Sequence, residues 1–349
     1  MQTDWRSFLV DSGAEFDDGC VSHYGNPDQE YSIVLTGNIL CDLSHYGVIA
    51  VSGEDATSFL HSQLINDINN LQASASQLNG YCNPKGRLIA NFRVFNVNDT
   101  WYLRLPYELV DTLIKRLSMF VLRSNVELTD ASERFVRIGY SGMDADKELA
   151  DVLAKIPLEP DQVVHQDNLT VIRIPGITPS FELYSDSDTI QGIWSRLDVR
   201  GAPVGTHAWD LIEVLAGIPH VTTPTTEQFV PQMLNYQAIG GLSFSKGCYP
   251  GQEIVARMHY LGKLKKRMYL ASIKSDEPPV AGQMLASSNQ QTGTNTGQIL
   301  NVAQHPDGYY VVLAVIQIKD AENDTIHLED ANGPVLEIQE LPYPVELKS

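Results

Sequence analysis

Ser245-Lys246-Gly247-Cys248-Tyr249-Pro250-Gly251-Gln252-Glu253-Ile254-Val255-Ala256-Arg257 is the stretch on which the reading of this chain turns. Gly247 allows the backbone to turn tightly. Pro250 suits a first helical turn, where its missing N–H costs nothing. Gln252 and Glu253 suit the same turn, because acidic groups favour the positive end of the helix dipole. Cys248 is then expected just before a helix N-terminus and beside Lys246. Both features stabilise a thiolate, so Cys248 is the candidate reactive thiol. The same position also fits a small buried filler, the usual place of a free cysteine. Glu253 reads either as a base or as an ordinary N-terminal helix carboxylate.

Outward from this stretch, Tyr81-Cys82-Asn83-Pro84-Lys85-Gly86-Arg87 carries turn chemistry. Pro84 presets φ and Gly86 supplies any positive φ the turn needs. Strand-like runs flank it, the second ending over 88–97, and a β-hairpin is expected. A strand is expected over 47–51. A helix follows that Ser52 or Asp55 can cap, with Ala56, Phe59, Leu60, Leu64, Ile65 and Ile68 at helical spacing. Another strand covers 100–105, and Pro106 opens a helix striped by Val110, Leu113, Ile114, Leu117 and Val121. Strands over 135–140 and 169–174 and helices over 190–197 and 208–216 continue the alternation, which points to an α+β fold. From Arg267 onward the runs 268–273, 297–302, 309–318, 325–328 and 335–338 are strand-like and separated by Gly, Pro, Asn and Asp. That is the pattern of an all-β module, a small barrel. Residues 1–30 are mixed and polar, with Asp17-Asp18-Gly19 and Gly25-Asn26-Pro27-Asp28 as turn signals, and read as a loosely held lead-in.

The 349 residues exceed one compact core of usual size, so two or three domains are expected. Lys plus Arg number 24 against 43 Asp plus Glu, a net charge of −19. A surface this acidic repels phosphate backbones and anionic lipid, so neither direct nucleic-acid binding nor membrane association is expected. One local basic cluster stands out: Arg257, Lys263, Lys265, Lys266 and Arg267. No apolar run is long enough to span a bilayer. The start, Met1-Gln2-Thr3-Asp4-Trp5-Arg6, lacks the order of a signal peptide, so a cytoplasmic location is expected. The four cysteines, at 20, 41, 82 and 248, form no CxxC, and the nine histidines form no HxxxH or HExxH. Neither a metal site nor a disulfide scaffold is expected.

Lys246-Gly247-Cys248-Tyr249-Pro250-Gly251-Gln252-Glu253 resembles the signature K-G-C-Y-x-G-Q-E of the YgfZ family of folate-binding, tRNA-modification proteins, which are related to the glycine cleavage T-protein. The resemblance runs along nearly the whole chain. Ala216-Gly217-Ile218-Pro219, Gln228-Phe229-Val230-Pro231-Gln232 and Gln237-Ala238-Ile239-Gly240-Gly241 lead into the signature in the family's order. Cys82-Asn83-Pro84-Lys85-Gly86-Arg87 resembles the family's C-D-x-K-G-K/R hairpin, and Glu340-Leu341-Pro342-Tyr343 fits its bacterial members.

The resemblance implies a three-domain T-protein-like ring, with two sequence-intertwined α/β domains over 1–265 and a C-terminal β-barrel over 266–349. It implies tetrahydrofolate or a one-carbon derivative in a central channel. It also implies that aromatic residues at Tyr46 and Trp209 line the folate, whereas apart from the resemblance each position reads first as a core residue. Arg257 and the lysines after it can hold folate's glutamate carboxylates, or form a solvated basic edge. The family further implies iron–sulfur proteins or their assembly factors as partners, with Cys248 as a redox-active or transiently ligating thiol, and an indirect link to tRNA methylthiolation. The alternative is a tetrahydrofolate-dependent aminomethyltransferase or other one-carbon transferase. Two departures weigh against it. Where the transferases carry G-G-x-x-D-D this chain ends in Ala90-Asn91, and where they carry G-E-D-G-F-E it reads Ile177-Thr178-Pro179-Ser180-Phe181-Glu182.

Overall fold

The computed structural model describes residues 1–289 and 296–345. The chain divides into two compact units that exchange segments. The first gathers Met1–Ala56, Asn70–Gln77 and Arg93–Ile212, and the second gathers Thr57–Asn69, Leu78–Phe92 and everything from Glu213 onward.

The first unit is built on a six-stranded sheet in the order Val163–Gln166, Leu169–Ile174, Ser180–Ser185, Val136–Ser141, Ile39–Asp42, Ala202–Val204. Strand side chains alternate between faces. One face presents Leu40, Ile138, Tyr140, Leu169, Phe181 and Leu183, which pack with Trp194 and Ile190 of the helix Ser187–Leu197. Asp186 caps that helix by accepting from the Thr189 amide at 2.9 Å.

Residues 1–30 are not a loose lead-in. Thr3–Asp11 is a helix whose Trp5 and Leu9, four residues apart, are 1% and 0% exposed within the same core. The Trp5 indole donates to Asp42 Oδ1 at 2.7 Å. Phe8, half-buried, stacks on Trp5 at 5.3 Å, so Trp5, Phe8 and Leu9 form a helical stripe little more than one turn long. The turn signals do their expected work. Asp18 and Gly19, at φ 45° and 80°, close the hairpin Glu15–Asp17 to Cys20–His23, and Asn26 caps the helix Pro27–Ile33.

A five-stranded sheet runs Gln77–Cys82, Leu88–Val97, Thr100–Pro106, Tyr46–Ser52, Glu127–Asp130. Its strand Leu88–Val97 starts in the second unit and ends in the first. Pro106 leads into a short 3-10 turn, Tyr107–Leu109, and then the helix Val110–Ser118, which buries Val110, Leu113 and Leu117. Val121 lies beyond its end. The helix after the strand Tyr46–Ser52 is Ala56–Gln63, shorter than its apolar stripe suggested. Leu64, Ile65 and Ile68 are fully buried but not helical. The Ile65 amide donates to the Gly80 carbonyl at 3.0 Å and Leu64 bridges Tyr81, so the sheet takes the backbone groups that a longer helix needs.

In the second unit, six strands close a barrel in the order Lys266–Ile273, Tyr310–Gln317, Gly297–Gln304, Met284–Ser287, Ile326–Leu328, Val335–Gln339. The strand Met284–Ser287 is the one the sequence pattern did not reveal. A register shift at Ile299/Asn301 frees the Asn301 amide, which accepts from the His220 N–H at 2.9 Å and donates to the His220 carbonyl at 3.0 Å. Among the described residues, no helix is long and apolar enough to cross a membrane.

Candidate functional site

In the second unit the signature is a loop followed by the helix Gln252–Tyr260. The helix begins two residues later than the sequence suggested. Its N-cap is Gly251, in the left-handed region at φ 82°, and Pro250 lies outside the first turn. The cause is a close approach to the hairpin turn. A Cβ on Gly251 would lie 2.5 Å from Asn83 O and 2.6 Å from Gly86 Cα, while Gly86, at φ 71°, lies against Ile254 and the Gly251 carbonyl. Inside the turn, Asn83 Oδ1 accepts from the amides of Lys85 and Arg87 at 2.9 and 3.1 Å. The two glycine-bearing motifs are thus one packed assembly, backbone against backbone.

The loop is also tied at its other end. Lys246 is buried, and its Nζ donates to the carbonyls of His61 and Leu64 at the end of the helix Ala56–Gln63. A cation there satisfies orphan carbonyls and complements the helix dipole. The ammonium also lies 5.1 Å from the centre of the Tyr249 ring. Gln252 Nε2 reaches back to the carbonyls of Lys246 and Gly247 at 3.3 and 3.4 Å. Held from both sides, the loop presents Cys248 to solvent. All four cysteines are among the described residues; Cys41 and Cys82 are buried, Cys20 is half-buried, and only Cys248 is exposed.

Burial pushes the Lys246 ammonium down to about 8 from the ordinary 10.5, against the opposing pull of Asp67 and Cys248. A group whose folded value is depressed contributes stability fully present above its unfolded value and lost as pH falls through the folded one. Wild type is therefore expected to gain stability over Lys246→Met as pH rises from about 8 toward 10.5. Urea midpoints of both proteins across that range check it. A pH-independent difference would mean that the ammonium is not desolvated.

Behind the hairpin, Asn91 is buried. Its amide is fully used. Nδ2 donates to the Pro219 carbonyl at 2.6 Å and to the Tyr236 hydroxyl at 2.5 Å, and Oδ1 accepts from the Val221 N–H at 2.7 Å. Only an amide both donates and accepts in this way; an ionised carboxylate would face a carbonyl oxygen.

In the first unit, the sheet face opposite the helices carries Arg137, Gly139, Ser141, Ser180, Glu182 and Tyr184, all buried. An alternating strand normally turns its polar side to water; here that side is covered. Glu182 accepts from Arg104 and from the Tyr184 hydroxyl. The Arg104 guanidinium stacks 4.1 Å from the centre of the Tyr46 ring, and His45 packs on Tyr46 at 4.0 Å. Gly139, opposite Glu182 in the sheet, has no side chain because the Trp209 ring occupies that space; a Cβ there would lie 2.4 Å from it. Tyr46 and Trp209 are therefore brought to one buried face, 3% and 0% exposed. The Trp209 indole N–H has no hydrogen-bond partner among the described residues. Burial pushes the Asp42 carboxyl and the Cys41 thiol up and holds the Arg137 guanidinium down.

Arg257 belongs to the second unit, exposed on the signature helix, with Glu253 exposed one turn earlier. The basic cluster is dispersed. Lys263 and Lys265 are exposed between helix and barrel, whereas Lys266 and Arg267 begin the first barrel strand, and Arg267 lies over the Tyr269 ring at 4.6 Å. Sequence reasoning missed Arg104, Arg137, Asp42 and His61. A motif reading carries no signal for them, since each lies outside the family signatures. Among the described residues, no group of three or more His, Cys, Asp or Glu could hold a metal ion.

Comparison with known proteins gives concordant results. The family described as the GCVT N-terminal domain matches residues 22–240. The tRNA-modifying protein YgfZ of Colwellia psychrerythraea is 30% identical over 309 residues, 88% of this chain and 94% of that protein. The protein of the same name from Klebsiella pneumoniae is 30% identical over 320 residues, 92% of this chain and 97% of its own. Among solved structures, the glycine cleavage system aminomethyltransferase T from Bartonella henselae superposes with a TM-score of 0.78 at 18% identity, covering 97% of this chain and 96% of that one. At that identity the likeness establishes a T-protein-like fold.

Proposed function

Because this chain belongs to the YgfZ family, whose relatives carry the name tRNA-modifying protein, we propose that it is a folate-binding accessory protein that supports iron–sulfur enzymes through the Cys248 thiol. The observation that carries the proposal is the mounting of Cys248: exposed, on a loop pinned by Lys246 and by the Gly251–Gly86 contact. A fixed, accessible thiol suits transient bonding to a partner, by mixed disulfide or by brief ligation of a damaged cluster. One cysteine does not hold a cluster, which takes four ligands. Partner iron–sulfur proteins or their assembly factors supply the rest. With a net charge of −19, contact with tRNA is indirect, through the enzymes that modify it.

For the folate, the buried and unpartnered indole N–H of Trp209 fits an acceptor-rich ligand, since a buried donor without a partner is costly. A tetrahydrofolate or one-carbon derivative supplies a flat ring with such acceptors. Tyr46 and Trp209 are the proposed ring contacts; both rings are covered by protein in this structure, so a ligand reaches them only when that face opens. Arg257, exposed on the signature helix, is proposed separately as a contact for a carboxylate and is tested by itself. Aminomethyl transfer is not favoured, because the hydrogen-bonded Asn91 stands in place of the working carboxylate.

In a strain lacking the protein, Cys248→Ala is expected to leave iron–sulfur enzyme activity unrestored while wild type restores it. Full restoration by Cys248→Ala defeats the proposal. Trp209→Phe keeps a ring and removes the N–H, and is expected to weaken tetrahydrofolate binding about tenfold, the worth of one hydrogen bond. Unchanged affinity by calorimetry would move the folate elsewhere.

A further inference from the structure

Positive charge is concentrated on the two segments that carry the glycine motifs. Residues 78–92 and 240–270, both in the second unit, hold eight of the chain's 24 lysines and arginines and one of its 43 acidic residues, Glu253. The fold joins these segments, because Gly251 packs on Gly86 backbone against backbone. Lys85 and Arg87 flank that contact, and both are exposed. Gly251 follows Cys248 by three residues, a span of at most about 11 Å. Arg257 lies about 9 Å further along the helix Gln252–Tyr260. Exposed Lys263 and Lys265 come after that helix. On the other side of the thiol, the Lys246 ammonium is 5.1 Å from the centre of the Tyr249 ring.

The carboxylates set against the same segments are few. Besides Glu253 they are Asp67, 3.3 Å from His61 Nδ1, and Glu227, whose amide donates to the Leu88 carbonyl. On a chain of net charge −19 this surface is a positive island. It has apolar points as well. Ile254 on the helix, and Tyr260 and Leu261 at its end, are 39%, 67% and 84% exposed.

We propose that this surface docks an acidic, partly apolar polypeptide segment of the partner that reacts at Cys248. This rests on the reading of Cys248 as a reactive thiol and adds the chemistry by which the partner is chosen. Complementary charge chiefly raises the rate of encounter and turns away wrong partners. The exposed apolar side chains then hold the segment by burial. A phosphate backbone also matches positive charge, but an RNA the size of tRNA meets the rest of an acidic chain and is repelled. A short acidic segment meets only the local field.

The test uses two cysteine peptides, Glu-Glu-Cys-Glu-Glu and Gln-Gln-Cys-Gln-Gln, each carried as its 2-pyridyl disulfide. The Cys248 thiolate attacks the peptide sulfur, the S–S bond breaks, and the departing pyridinethiolate takes up a proton and is read by its absorbance. Cys248→Ser identifies the phase that belongs to this thiol. At one fixed pH and an ionic strength of about 0.01 M, where charges act over ~30 Å, the Glu peptide is expected to react about tenfold faster than the Gln peptide. In about 1 M salt the two rates are expected to converge. If the net charge of the whole chain governs instead, the Glu peptide is the slower one and salt speeds it, and the proposal is overturned.

Lys85→Gln, Lys263→Gln and Lys265→Gln together are expected to remove most of the preference. Lys115→Gln, Lys147→Gln and Lys155→Gln, exposed positions of the first unit, change the net charge equally and are expected to keep it. Equal loss in the two triple variants also overturns the proposal. If added tRNA suppresses the Cys248 phase of the neutral Gln peptide, RNA covers the thiol and the polypeptide is the wrong class. The functional reading stands or falls separately. A Glu preference beside a fully active Cys248→Ala in the deletion strain keeps the docking surface and removes the reading, whereas no preference beside an inactive Cys248→Ala removes only the docking surface.

Discussion

Gly251→Ala is expected to destabilise the protein by about 2–5 kcal/mol, through two separable causes. The first is conformational. Gly251 sits at φ 82°, and an L-residue with a Cβ in this region costs about 1–2 kcal/mol. The second is steric. The new Cβ would lie 2.5 Å from Asn83 O, 2.6 Å from Gly86 Cα and 2.7 Å from Gly86 N. These are backbone atoms of a tight turn and cannot swing aside as a side chain does. Forcing them apart costs a further ~1–3 kcal/mol, as overpacking usually does. Gly308 is the natural control. It has nearly the same φ, 83°, with nothing within 4 Å of its Cβ position, so Gly308→Ala reports the conformational part alone. Urea unfolding of the two variants checks the difference. If Gly251→Ala costs no more than Gly308→Ala, the hairpin and the signature are not packed against each other. Since the contact also seats Cys248, the proposed support of iron–sulfur enzymes is expected to fall in Gly251→Ala at temperatures where the protein remains folded.

Arg104→Met is expected to cost about 3–5 kcal/mol, because it strands a buried charge. Glu182 is 0% exposed, and its two oxygens are held by Arg104 and the Tyr184 hydroxyl. Without the guanidinium one oxygen loses its bonded counter-charge, and only the more distant buried Arg137 remains to offset a carboxylate that is costly to bury. The Tyr46 ring loses its stacked cation as well. Adding Glu182→Gln to Arg104→Met removes the stranded charge and is expected to recover part of the loss. A double-mutant cycle in urea measures that coupling. A loss below ~1 kcal/mol, typical of an exposed pair, would mean that water reaches this face. Because Tyr46 and Trp209 share the face, tetrahydrofolate binding is expected to fail in Arg104→Met if the proposed ring site is right.

The hairpin Gln77–Cys82 to Leu88–Val97 was legible because Asn83, Pro84 and Gly86 specify a turn through their own φ preferences and local hydrogen bonds. The barrel strands were legible for the same reason, as short apolar runs cut by turn residues, although Met284–Ser287 buries only Leu285 and Ser287 and so presents no apolar run. The start of the signature helix was misread. Pro250 favours a first helical turn, but the approach of Gly251 to the hairpin forces a left-handed residue after it, and that is a contact at long sequence separation. Leu64 and Ile65 keep helical spacing yet leave the helix, because the sheet supplies partners for their backbone.

Read alone, the chain determined its family, its α+β front and barrel tail, and the residues of its two glycine motifs, because these depend on local preferences and on the order of short motifs. Which polar groups are buried was decided only by tertiary structure. Arg137, Glu182 and Tyr184 alternate with apolar neighbours as a solvent-facing strand does, and nothing in that alternation says what lies over them. Likewise Lys246 reads from the sequence as a charge beside Cys248, until the end of a distant helix offers it two carbonyls. Burial belongs to pairs of surfaces, and one strand or loop encodes only its own half.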